Sequence, residues 1–166
     1  VRVYLPATVG TLRQLVADEV FTPVNGTGFA LTPALRESYT SGDTEELEYA
    51  ALLEAARASL RLIAAEDGAE PARRVVVSAD VGDSAATLRP DLDSAAVRVS
   101  GPVSLADIVA VHVDTAEAEP AVRAAADVVD AADLGDPDAE FAIGETEDHQ
   151  LAWYATQELP FLLDLM

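Results

Sequence analysis

Residues 43–80 limit what this chain can fold into more than any other stretch. Between Thr44 and Glu66, the side chains of Tyr49, Leu52, Leu53, Ala56, Leu60 and Ile63 recur at three- and four-residue spacing. That period places them on one face of an α-helix. Asp43 and Glu46 have the spacing of a capping box at its start, and the Ala-rich interior has high helix propensity. Shortly afterwards, Arg73–Asp80 contains three consecutive β-branched residues, Val75, Val76 and Val77, as expected of a buried strand. A long amphipathic helix feeding a buried strand needs a layered fold, with the helix lying on a sheet.

The flanking sequence extends the same pattern. Residues 1–6 alternate as a strand that Pro6 ends, and Thr8 is placed to cap a helix over 11–20. Pro23–Gly28 has turn chemistry, because Asn25 and Gly26 tolerate positive φ. A short strand over 28–31 follows, and Thr32-Pro33 opens a short helix reaching about Tyr39. Residues 81–94 read as a connecting loop. Beyond it the sequence predicts a strand at 96–100, a short helix opened by Ser104 and Asp107, and a half-exposed strand through Val109, Val111 and Val113. An amphipathic helix over 117–132, an acidic loop over 133–148, a strand at 150–155 and a helix at 159–165 complete the pattern.

The expected class is therefore α+β, a mixed β-sheet packed with helices in a single domain over 1–166. Val1-Arg2-Val3-x-x-Pro6 recurs as Val97-Arg98-Val99-x-x-Pro102, each followed by a hydroxyl residue, Thr8 or Ser104. Two pseudo-repeated ferredoxin-like halves, 1–82 and 95–160, would produce this, as would a coincidence among Val-rich strands.

Composition narrows the function. Thirty acids stand against ten bases, all of them Arg, for a net charge of −20. Such a field repels phosphate backbones and anionic lipid surfaces, so neither nucleic acid nor membrane is an expected partner. Half of the residues are apolar, which suffices for a core and argues against disorder. Without cysteine there is no disulfide framework, zinc–thiolate site or thiol nucleophile. The N-terminal residues lack the pattern of a secretory signal, so the expected location is cytoplasmic.

No phosphate-binding loop, dinucleotide fingerprint, nucleophile elbow or H-E-x-x-H motif occurs. The densest chemistry lies at Glu145, Glu147, Asp148 and His149, followed by Trp153 and Tyr154. Carboxylates and an imidazole within five residues suit a divalent cation or acid–base work. On an unbroken strand Glu147, His149 and Trp153 would share a face. The competing reading is a solvated loop before a core aromatic. His112 beside Asp114, and Asp80 at a strand end, are weaker candidates, and no Ser or Thr has an activating partner nearby in sequence.

The chain resembles an actinobacterial family of unknown function, DUF6912. The segments that carry the resemblance are VRVYLPAT at 1–8, TPVNGTGFALTPALRE at 22–37, the helix at 43–66, RVVVSADV at 74–81, SGPVSLADIVAVHVD at 100–114 and EDHQLAWYATQELPFLL at 147–163. The resemblance spans nearly the whole length and implies no activity, cofactor or catalytic residue. The expectation is a non-catalytic interaction or regulatory module, with a protein partner or a homodimer and no cofactor. The alternatives are a small metal-assisted or acid–base enzyme, or a small-ligand binder, using residues 145–154.

Overall fold

The computed structural model describes all 166 residues. Its centre is a seven-stranded sheet in which all adjacent strands are antiparallel. The strands, in chain order, are β1 (Arg2–Ala7), β3 (Thr27–Phe29), β4 (Val75–Asp80), β5 (Ala86–Leu88), β6 (Ala96–Val99), β8 (Ile108–Val113) and β9 (Ala152–Tyr154). Across the sheet the order is β5-β6-β3-β1-β4-β8-β9. Two short strands, β2 (Val20–Phe21) and β7 (Val103–Ser104), pair separately. The architecture is α+β, as the alternation of helical and strand periods required.

Strand alternation divides the core in two. Val3, Leu5, Val75, Val77, Ala79, Val111 and Val113 project to one face, where α1 (Val9–Asp18) and α6 (Leu159–Asp164) cover them with Leu12, Leu15, Leu159, Leu162 and Leu163. Each fully buried Leu or Val there contributes about 1.5–3 kcal/mol. Thr8 caps α1 through a reciprocal box with Thr11. On the opposite face, Tyr4, Phe29, Val76 and Ala96 pack against α3 (Thr44–Ala65) and against Leu35 of α2 (Pro33–Glu37). The contact side of α3 there is mostly Ala51, Ala55, Ala56 and Ala58, small side chains that let the helix lie close to the strands.

The C-terminal half of α3 has a second partner. Leu60 and Ile63 pack with Val122, Ala125 and Val129 of α4 (Glu119–Asp133) and with Ala139 and Ile143 of α5 (Pro137–Thr146). Arg57 and Arg61 bridge the same helices by ion pairs to Asp133 and Glu140. These pairs hold both carboxyls below the usual range, chiefly through hydrogen bonds from Arg61 to Asp133 and from Arg57 to Glu140. The acidic stretch expected as a loop over 133–148 is therefore largely α5. Asp136 caps that helix by accepting from the backbone N–H groups of Asp138 and Ala139, and Pro137 sits at its tolerant first position.

Pro6 does not end the first strand: β1 runs on to Ala7 with Pro6 paired to Val76, since the fixed φ of proline lies within the extended region. Asp43 caps α3 by accepting from Glu46 N–H, and the loop over 81–94 contains the short edge strand β5. Asn25 and Gly26 adopt positive φ in a turn, and a Cβ on Gly26 would meet the Val99 carbonyl at 2.9 Å. The two VRV segments lie in β1 and β6, on either side of β3. Their continuations differ: β1 leads into α1, whereas β6 leads into β7 and one 3-10 turn capped by Ser104. No helix is long and apolar enough to cross a membrane.

Candidate functional site

Because α4 and α5 stack on the C-terminal half of α3, no helix closes over the sheet beside its N-terminal half. There the sheet face is open, and a cavity of about 660 Å³ lies between α3 and strands β1, β4, β8 and β9. Antiparallel register accounts for its floor. Tyr4 pairs with Ser78 and Ser78 with Ala110 in one row, and Val76 pairs with His112 and His112 with Trp153 in the next. Paired residues project to the same side of a sheet, so Tyr4, Ser78, Ala110, His112 and Trp153 all face the groove. The wall from α3 consists of Glu45, Glu48, Tyr49 and Leu52.

A β-bulge shapes one side. Ala79 pairs with Ile108 while Ser78 pairs with Ala110, so Val109 has no partner in the ladder. The extra residue leaves Val109 42% exposed and lining the groove. Bulges commonly re-aim side chains beside functional clefts.

Three polar pairs organise the cavity. Ser78 Oγ and His112 Nε2 share a hydrogen bond of 2.8 Å, with Ser78 only 3% exposed. Burial holds the His112 pKa below its ordinary 6.5, so the ring is neutral at pH 7. Tyr4 Oη donates to Glu48 Oε2 at 2.9 Å. Burial, and next the bond to Glu48, push the Tyr4 phenol well above its ordinary range, so it remains a donor. Arg2 gives Nε and Nη2 to the two oxygens of Asp80 at 2.6 and 3.2 Å, which occupies both partners and lowers the Asp80 pKa. Tyr49 and Trp153 remain as large aromatics in an open site, 49% and 59% exposed.

Of the cluster singled out at 145–154, only Trp153 reaches this groove, where it joins His112, the weaker candidate from β8. Strand β9 begins at Ala152, so Glu147 and His149 are not on it: Glu147 ends α5 and His149 follows in a turn. Glu145 and Asp148 are exposed. Glu147 lines a separate cavity of about 190 Å³ with Glu54 and Arg57, where burial and neighbouring carboxylates raise the Glu54 pKa. Tyr154 packs toward the core on the other face of the sheet. The carbonyls of Thr146 and His149 accept from Arg74 Nη2 at 3.1 and 2.9 Å, so this turn serves as an anchor. Asp114 is bound to Arg74 and not to His112. No three His, Asp or Glu side chains converge into a group that could hold a metal ion.

Sequence reasoning missed Arg2, Tyr4, Glu45, Glu48, Tyr49 and Ser78. The partner of Ser78 lies 34 positions away, and only the register of β4 on β8 brings the two together.

A model of a family of unknown function, DUF6912, matches residues 1–163. The chain belongs to that family. The match includes every residue that lines the groove. No curated protein and no solved structure shows significant similarity to this member of DUF6912.

Proposed function

We propose that the chain is a non-catalytic binding module that takes a small ligand in the groove between α3 and the β4–β8–β9 face. The carrying observation is the pair of exposed aromatics, Tyr49 and Trp153, lining one 660 Å³ cavity. That volume lies within the range of about 300–1,000 Å³ typical of ligand sites. Apolar walls with a few oriented polar groups are their usual composition, and Leu52, Val109 and Ala110 beside Tyr4–Glu48 and Ser78–His112 fit it. The net charge of −20 argues against nucleic acid as the occupant, and the cysteine-free composition suits a reducing cytoplasm.

Trp153 is the only tryptophan, so intrinsic fluorescence reports directly on the groove. Screening a metabolite panel by thermal shift and by fluorescence tests the reading. A true ligand raises Tm and alters the Trp153 emission, and Tyr49→Ala weakens both effects. If no compound perturbs Trp153, or if every hit binds Tyr49→Ala unchanged, the groove is not the site.

One observation favours a second reading, acyl transfer. A serine hydroxyl 2.8 Å from a neutral imidazole is the geometry of an activated nucleophile. Ser78 Oγ would attack an ester carbonyl carbon while His112 Nε2 takes its proton and passes it to the departing alkoxide. Water would then cleave the acyl-serine and restore the hydroxyl. A fluorophosphonate probe that labels the wild type but not Ser78→Ala would support this reading; equal or absent labelling would remove it.

A further inference from the structure

We infer that the ligand of the groove is a small organic cation, an alkylammonium or guanidinium compound with an apolar stem. The inference rests on the binding reading above and adds the chemical class.

Charge points first to that class. The only fixed positive charge lining the groove is Arg2, and its guanidinium is already chelated by Asp80. His112 is neutral at pH 7, its pKa held below 6.5 by burial. Against these stand the carboxylates of Glu45 and Glu48 on the α3 wall. An anion entering here meets no free cationic partner, whereas a cation meets two carboxylates inside a chain of charge −20.

The aromatics point to it independently of the acids. Tyr49 and Trp153 contribute ring surface to the same cavity while 49% and 59% exposed. Electron-rich ring faces attract ammonium and guanidinium groups, Trp most strongly. Water solvates a bare ring poorly, so an occupant that combines charge with hydrocarbon gains on both counts. Leu52, Val109 and Ala110 provide the apolar surface for its stem.

One carboxylate is held in position. Tyr4 donates to Glu48 Oε2 and leaves Oε1 for an incoming N–H. Tyr4 sits on a central strand and is only 6% exposed, so Glu48 is oriented before any ligand arrives. Preorganisation of this kind reduces the ordering cost of binding.

The test uses matched probes on the full chain at an ionic strength of about 0.15 M, where diffuse attraction is screened beyond roughly 8 Å. Choline and agmatine are the cations, 3,3-dimethylbutan-1-ol is the uncharged carbon isostere of choline, and glutarate is the anion. Trp153 fluorescence and thermal shift are the readouts. At least one cation is expected to titrate saturably, with the isostere and glutarate weaker by about tenfold or more. Glu48→Gln should weaken the cation by a similar factor, and Glu145→Gln, an exposed acid on α5 outside the groove, should not. If neither cation binds more tightly than the isostere, or if Glu145→Gln weakens the bound cation as much as Glu48→Gln does, the cation inference is overturned. Binding of the isostere or of glutarate alone, lost in Tyr49→Ala, overturns the class and leaves the groove standing. If none of these probes and no compound of the wider panel perturbs Trp153, both readings fall together.

Discussion

Arg74 and Asp114 form a bidentate ion pair in the core, with side chains 3% and 0% exposed. Arg74 Nε and Nη2 donate to Asp114 Oδ2 and Oδ1, both at 2.8 Å, and the Arg74 backbone N–H adds a third bond to Oδ2. The same Nη2 reaches the carbonyls of Thr146 and His149. One guanidinium thus ties the entry to β4, the exit of β8 and the end of α5. Removing either partner leaves the other charge buried without its counter-ion, which typically costs about 3–5 kcal/mol. Arg74→Met and Asp114→Leu should each lose stability on that scale in urea unfolding, and the double variant should lose less than the sum. A loss below about 1 kcal/mol for Arg74→Met would show that the pair does not hold the turn.

His112 should make stability depend on pH. Its folded pKa is held below 6.5 by burial, so the unfolded chain binds a proton more readily than the folded one. Stability rises with pH wherever the unfolded state binds more protons. The contribution of His112 is therefore complete above pH 6.5 and declines as pH falls from 6.5 toward the folded pKa. Glu54, whose pKa is raised by burial, acts in the opposite sense at the lower end of this window. His112→Gln should flatten the fall in unfolding free energy between about pH 7 and about pH 5. An unchanged slope would mean that His112 is not buried as a neutral base.

Trp153 should matter for the ligand and little for the fold. At 59% exposure, truncation to Ala removes few packing contacts, and the stability change should stay within about 0.5–1 kcal/mol. Leu5→Ala, at a wholly buried position of β1, should cost about 2–5 kcal/mol. Denaturation of the two variants side by side checks the contrast. Comparable losses would identify Trp153 as a core residue after all.

Gly26 holds the turn that delivers β3. Its φ of +70° is unfavourable for an L side chain, and a Cβ would press on the Val99 carbonyl. Gly26→Ala should destabilise by at least about 1 kcal/mol, read as a lowered denaturation midpoint. A midpoint equal to or above the wild type would show that the turn relaxes into another conformation.

Helices and caps were legible because their signals are local. Thr8, Thr32 and Asp43 cap the helices that follow them, through bonds that span three residues. The acidic stretch over 133–148 misled because a helix start with Asp136-Pro137 and a loop share the same residue types, and the packing of Ala139 and Ile143 on α4 settles the choice. In the candidate cluster, proximity along the chain did not survive folding. Glu147, His149 and Trp153 straddle the junction between a helix end and a strand, and they go to a minor cavity, an anchoring turn and the main groove respectively.

The amino-acid sequence by itself determined the layered α+β class, the positions of most helices, the acidity and the absence of thiol chemistry, because periodicity, caps and composition are properties of short segments. Tertiary structure alone decided where the groove lies. Its floor joins residues from β1, β4, β8 and β9, brought together by register, by one bulge at Val109 and by the pairing of Ser78 with a histidine 34 positions away. Its openness follows from a distant choice, the stacking of α4 and α5 on the far half of α3, which leaves the near half of the sheet face without a helix to cover it.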